Sequence, residues 1–177
     1  ADGWHLSLSF FGPTSIVVTV LVVASLVFDR WGWTLPLVDK IWRRPDLRGT
    51  WKGEFLSNYE GKEAPIEAYL SIEQTFSSLV ITQFTQESTS HTRLASIQIG
   101  DGNLDFVVGI YQNEPDIKFR RRSGIHDGAF RLSVEPEALT GKYWTDRSTQ
   151  GAMTFRRISR NKSASFQNAR DGGIKES

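Results

Sequence analysis

PIEAYLSIEQTFSSLVITQFTQ, residues 65–86, is the stretch on which the fold is read. Ile66, Ala68, Leu70 and Ile72 recur at every second position, the period of a strand with one face in a core. A second run, SLVITQFTQ (78–86), comes after a break short enough for a hairpin. The pattern continues outward in both directions: LRGTWKGEF (47–55) before it, then RLASIQI (93–99), LDFVVGIYQ (104–112), IKFRRR (117–122), AFRLSV (129–134), LTGKYWT (139–145) and AMTFRRI (152–158). Leu104, Phe106, Val108 and Ile110 share one face in the same way. Turn residues separate the runs, among them Gly100-Asp101-Gly102 and His126-Asp127-Gly128. Eight or nine short strands with no helical run between them predict an all-β, up-and-down antiparallel barrel over 45–160, with a flattened sandwich as the alternative.

Two details favour closure. Gly49-Thr50-Trp51 opens the first strand, and Arg156-Arg157 lies on the last. The first and last strands of a closed barrel are neighbours, so an arginine there covers the Trp51 ring and donates to nearby carbonyls. Arg157, which shares its strand face with Met153 and Phe155, is the expected partner. The Gly-x-Trp opening with a late arginine resembles the lipocalin-type barrel signature.

The chain before the barrel reads differently. Residues 6–28, LSLSFFGPTSIVVTVLVVASLVF, carry no charge. As a helix they reach roughly 34 Å against a hydrocarbon core of about 30 Å. A buried core helix is the competing reading, but a domain this small has too little surface to wrap an all-apolar helix. Gly12-Pro13 marks the start of the continuous helix or a kink. A signal peptide is disfavoured, since no basic start precedes the stretch and Asp29-Arg30-Trp31 comes after it. Trp31 and Trp33 fall where an aromatic belt lies, and residues 34–44 read as an interfacial or partial second segment. Arg30, Lys40, Arg43, Arg44 and Arg48 all lie after the apolar stretch and no basic residue precedes it. The positive-inside bias then predicts a cytoplasmic C-terminal domain. The expected organisation is a membrane region over 1–44, the barrel over 45–160 and a flexible tail over 161–177, whose few apolar residues do not suffice to pack.

Composition narrows the chemistry. The 177 residues carry a formal charge of +1 and no cysteine, so disulfides and thiolate metal sites are excluded. His5, His91 and His126 lie far apart, and no P-loop, Gly-x-Ser-x-Gly, His-Glu-x-x-His or Gly-x-Gly-x-x-Gly pattern occurs. The expectation is a non-catalytic protein with no cofactor and no metal. Asp146 beside Arg147 reads as a turn-stabilising ion pair rather than a catalytic acid. A barrel of eight strands accommodates one small ligand in its interior or at its mouth. The candidate lining is aromatic and basic: Tyr69, Phe84, Phe106, Tyr111, Phe119, Arg120, Arg121, Arg122, Tyr143, Trp144 and Arg147. Aromatic faces stack on bases and guanidinium forks match phosphate oxygens, a mixture that suits a nucleotide better than a fatty acid. The bland alternative is that the aromatics are core and that Arg120, Arg121 and Arg122 form a solvated edge. Tyr143 and Trp144 point to opposite faces, and Tyr143, in phase with Leu139, is the inner one.

The apolar N-terminal stretch, the segment PDLRGTWKG (45–53) and above all LTGKYWTDRSTQG (139–151) resemble the SMODS-associated two-transmembrane β-strand-rich effectors. These are membrane β-barrel effectors associated with CD-NTases in cyclic-oligonucleotide-based antiphage signalling (CBASS). The resemblance runs to about residue 160, although only one stretch of this chain is long enough to span a bilayer. It implies a barrel that binds a cyclic dinucleotide made by a CD-NTase nucleotidyltransferase. It further implies homo-oligomers on activation, disruption of the bacterial inner membrane and cell death, with no DNA or RNA polymer as partner. For a ligand with two phosphates and two bases, the aromatic and basic candidates narrow to Tyr111, Arg120, Arg122, Tyr143, Trp144 and Arg147. A membrane-tethered carrier of a hydrophobic ligand and an assembly module without a ligand are the rival readings.

Overall fold

Eight alternating stretches become eight strands: β1 (Gly49–Ser57), β2 (Ile66–Gln74), β3 (Leu79–Thr85), β4 (Ser88–Gln98), β5 (Asp105–Pro115), β6 (His126–Val134), β7 (Ala138–Thr145) and β8 (Gln150–Ser159). Each runs antiparallel to the next, and β8 pairs with β1 to close an all-β barrel. These features come from a computed structural model that describes residues 11–42, 44–58, 64–100 and 104–175. The chain divides into two units, one of residues 1–43 with 75–77 and one of residues 44–74 with 78–177.

In the barrel unit, inward residues fill the interior. Trp51, Leu70, Ile72, Ile81, Val107, Leu132, Leu139 and Phe155 are all buried in one cluster. Burial of each such side chain contributes about 1.5–3 kcal/mol. One end is plugged. Trp51 Nε1 donates to the Leu47 carbonyl at 2.9 Å, and the Arg157 guanidinium sits 4.6 Å from the centre of the Trp51 ring. Arg157 Nη2 donates to the Asp46 carbonyl at 2.7 Å. The Gln74 amide accepts from Leu47 N at 2.8 Å and donates to the Pro45 carbonyl at 3.0 Å, pinning the strap before β1 across the base. Gly49 enters β1 at φ +122°, where a side chain would also meet the Ser159 carbonyl.

Several expectations are corrected. Residues 117–122 form no ninth strand. Ile117–Phe119 is a 3-10 turn in which Phe119 N donates to the Asp116 carbonyl at 2.7 Å. The face of Leu104 and Ile110 is the outer one, and the core instead takes Val107. β4 begins five residues before the predicted run and contains a bulge between Thr92 and Leu94. One extra residue inverts the facing of everything after it, so Ser90 and Ala95 both point inward. The flexible tail is replaced, over most of its length, by helix α3 (Phe166–Lys175). Ser165 Oγ accepts from Asn168 N at 3.2 Å as its N-cap, and Phe166 packs edge-on against Tyr69 at 5.3 Å between centroids. Few apolar residues suffice here because Ala169 is buried and the helix covers a ring on the outer face of β2.

The other unit contains α1 (Phe11–Arg30), a 3-10 turn (Gly32–Thr34) and α2 (Pro36–Trp42). Phe28, Trp42 and Phe76 meet edge to face at 5.1–6.0 Å, and Asp29 accepts from the amides of Phe76 and Ser77. No transmembrane helix is found where one is expected over 6–28. Among the described residues no helix is long and apolar enough to cross a membrane. Residues 6–10 lie outside that set, and α1 side chains are described from Thr14 on.

Candidate functional site

The unplugged end of the barrel is ringed by the β3–β4, β5–β6 and β7–β8 connections, two of them held by hydroxyls. Thr85 Oγ1 accepts from the amides of Glu87 and Ser88 at 3.2 and 2.9 Å. Thr145 Oγ1 meets Thr149 Oγ1 at 2.6 Å and accepts from Arg147 N at 3.3 Å. Short side-chain turns of this kind leave the long residues beside them free to project over the opening. Ser148, at φ 60°, completes the second turn.

Within this rim lies a cavity of about 320 Å³ whose walls include Phe55, Tyr111, Phe119, Arg122, His126, Tyr143 and Arg147. Small-molecule sites typically begin at about 300 Å³. Below it the barrel is filled, with a space of only about 20 Å³ between Leu70, Ile81, Phe130 and Phe155. Tyr143 stands perpendicular to Phe55 at 5.6 Å, and Tyr111 is tilted on Phe130 at 6.3 Å. Burial pushes both phenols up, Tyr111 strongly, so each stays protonated and able to donate. Gly128 opposite Tyr111 makes room for that ring, since a Cβ there would strike it.

Arg147 Nη2 donates to Ser123 Oγ at 3.2 Å and reaches His126 Nε2 at 3.4 Å. The other ring nitrogen of His126 faces the Gly124 carbonyl at 3.1 Å. A proton on Nδ1 satisfies both contacts and leaves Nε2 as an acceptor. Burial, with Arg147 adding to it, holds the imidazole below its ordinary value, against the Gly124 carbonyl, Asp146 and Asp127, which favour the charged form. Arg122 pairs with Glu87 at 2.6 Å and lies 5.2 Å from the Phe119 ring.

Of the six predicted ligand residues, Tyr111, Arg122, Tyr143 and Arg147 come together around this cavity. Trp144 is 45% exposed and is not part of the wall, and the Arg120 Nε donates to the Pro115 carbonyl. Among the wider candidates Phe119 lines the cavity, Arg121 does not, and Phe106 lies 4.0 Å under the Arg131 guanidinium. Tyr69 pairs with Phe84 in register on the outer face of β2 and β3. Asp146 does not pair with Arg147. Its amide and carboxylate instead bridge to the backbone of Asp127 at 3.0 and 3.4 Å. Sequence reasoning passed over Gln83, Ser90, Asn113 and His126, which are brought together only by strand register.

Residues 42–157 match the family model described as "Cap15, cyclic dinucleotide receptor domain". A relative from Staphylococcus schleiferi, CD-NTase-associated protein 15, is 26% identical over 144 residues, covering 81% of this chain and 78% of its own. The match spans β1 to most of β8 and stops short of α3. With the barrel and its aromatic, cationic mouth inside the matched region, the chain belongs to the Cap15 cyclic dinucleotide receptor domain family.

Proposed function

We propose that this protein is a membrane-anchored, non-catalytic effector of CBASS antiphage signalling whose barrel mouth binds a cyclic dinucleotide. One observation carries the reading: a cavity that combines stacking rings, Tyr111, Tyr143 and Phe119, with the guanidinium groups of Arg122 and Arg147, inside a matched receptor domain. Two bases call for aromatic faces and two phosphates for forked cations. Glu87 pairs with Arg122, so an incoming phosphate competes for that guanidinium. A carrier of a long hydrophobic ligand is disfavoured by the filled interior below the mouth.

The membrane part of the proposal rests on residues 6–28 of the sequence and on α1. Ile16, Val17, Val18, Val20, Leu21, Val22, Val23, Leu26 and Val27 are exposed within their unit and occupy successive positions around the helix. In water such a surface is costly at about 25 cal/mol per Å², and a bilayer covers it. α2 leaves Leu37, Ile41 and Trp42 exposed, which suits an interfacial segment. The source of the nucleotide is a partner CD-NTase, the enzyme class in the name of the staphylococcal relative. A nucleotide that binds an assembled state more tightly shifts the population towards it, and membrane confinement raises the local concentration of barrels. Assembly then disrupts the bacterial inner membrane.

Calorimetric titration of the full chain with cyclic dinucleotides tests the binding step. Arg147→Ala is expected to weaken binding at least tenfold, about 1.4 kcal/mol, with an unchanged melting temperature. Early melting with normal affinity of the folded fraction would place the site elsewhere.

A further inference from the structure

The strand register assembles something at the mouth that the sequence does not display as a motif. Gln83 on β3 pairs with Ser90 on β4, Ser90 pairs with Asn113 on β5, and Asn113 pairs with His126 on β6. All four line the cavity. Ser90 and Asn113 are buried, and Ser90 Oγ donates to Asn113 Oδ1 at 2.9 Å. Asn113 Oδ1 keeps a second lone pair, and its amide nitrogen keeps two donors for a ligand. Facing into the cavity, this row of amides and hydroxyls offers hydrogen-bonding groups to whatever enters the mouth. In a ring of eight strands β8 stands across from β4, so the wall opposite this row is the one carrying Tyr143 and Phe55. A flat ring entering the mouth therefore meets aromatic faces on one side and an amide and hydroxyl row on the other.

We infer that the mouth takes one base of its ligand edge-on against Gln83, Ser90 and Asn113, and that this base is adenine. The inference rests on the cyclic dinucleotide reading above and deepens it. Side-chain amides match adenine, which offers an acceptor beside a donor, whereas guanine is matched by arginine or lysine and cytosine by a carboxylate. The row holds neither. The cations at the mouth are engaged at the rim, Arg122 with Glu87 and Arg147 with Ser123 and His126. Its carboxylates are engaged as well, Glu87 with Arg122 and Glu67 with Lys52 and the Tyr69 hydroxyl. The filled space beneath, which Gln83 and Ser90 also border, stops the base at this depth and leaves the phosphates at the level of the arginines.

The test titrates the full chain in detergent with c-di-AMP, c-di-GMP and c-di-UMP. The wild-type protein should bind c-di-AMP at least about tenfold more tightly than c-di-GMP, the discrimination expected of a bidentate base contact. Asn113→Leu and Gln83→Leu should bring the two ligands to within about threefold of each other, mostly by weakening c-di-AMP. Asn113→Asp keeps the shape and removes the amide donors, so it gives the same result if a leucine variant fails to fold. A wild-type preference for c-di-GMP or c-di-UMP, or a ranking untouched by all three variants, overturns the adenine assignment while leaving the mouth as the site. Failure of every cyclic dinucleotide to bind the wild-type chain removes the binding proposal itself, and this inference with it.

Discussion

Trp51 has no exposed surface, and the cation that lies on it is itself almost out of solvent, with 9% of the Arg157 side chain accessible. The pair is mutually dependent. The ring shields the guanidinium, and the guanidinium ties the ring to the Asp46 carbonyl and, at 3.7 Å, to Glu137. Trp51→Ala should cost about 3–5 kcal/mol in denaturant unfolding of the full chain, the usual loss for a large core aromatic. Arg157 would be left facing a cavity, which places the result at the upper end. A loss below about 1 kcal/mol, the level of a surface substitution, would show that the plug is not what closes this end. At the mouth, His126 sets a pH dependence of opposite character. Its folded-state pKa lies below the ordinary 6.5, chiefly through burial, so as pH falls the unfolded chain takes up the proton first. Stability from this group is therefore present above the ordinary value and lost as pH drops below it. Melting temperatures measured downward from pH 7.5 should decline more steeply for the wild type than for His126→Gln. Parallel curves would mean that the imidazole is as solvated folded as unfolded.

At the scale of the elements, the strands were legible where one face is apolar and the other polar, as in β2, where Ala68, Leu70 and Ile72 are buried as their alternation demands. Legibility failed wherever the inward face is polar. The first half of β4, STSHT, carries no hydrophobic period because its inward residues border the mouth, and the bulge at Thr92 then shifts the phase of the strand's second half. On β5 both faces are apolar, so alternation alone chose the outer set around Ile110 over Val107. IKFRRR has the composition of an edge strand, yet it comes directly after Pro115-Asp116 and winds into a turn that carries Phe119 and Arg122 to the cavity. α3 was illegible for another reason. Its stability comes from docking on Tyr69 rather than from a stripe of its own, and docking is a tertiary fact. The arginine and tyrosine half of the mouth could be read from residue type. The amide row could not, because it exists only once register aligns three strands.

For the molecule as a whole, charge is distributed unevenly along the chain. All 21 lysines and arginines lie after Asp29, and Arg30, Lys40, Arg43, Arg44 and Arg48 crowd the exit of the apolar stretch. If residues 6–28 enter a bilayer, the positive-inside bias holds that crowded side in the cytoplasm, because orientation follows lysine and arginine within about 15–20 residues of a span. A reporter fused after Ser177 should then read cytoplasm and one before Ala1 periplasm. Neutralising Arg30, Lys40, Arg43 and Arg44 while adding lysines ahead of residue 6 should invert or scramble both signals. Unchanged signals would mean that charge does not set the orientation. The consequence reaches the mouth of the barrel. A dinucleotide carrying two phosphates does not cross lipid unaided, so a sensor for a nucleotide made in the cytoplasm has to stand there. A periplasmic C-terminus in the wild-type chain would therefore remove the sensing role even if the purified protein bound cyclic dinucleotides in the test tube. A chain found in neither orientation, and recovered away from the membrane fraction, would instead require another cover for the aliphatic surface of α1 and would leave the mouth untouched.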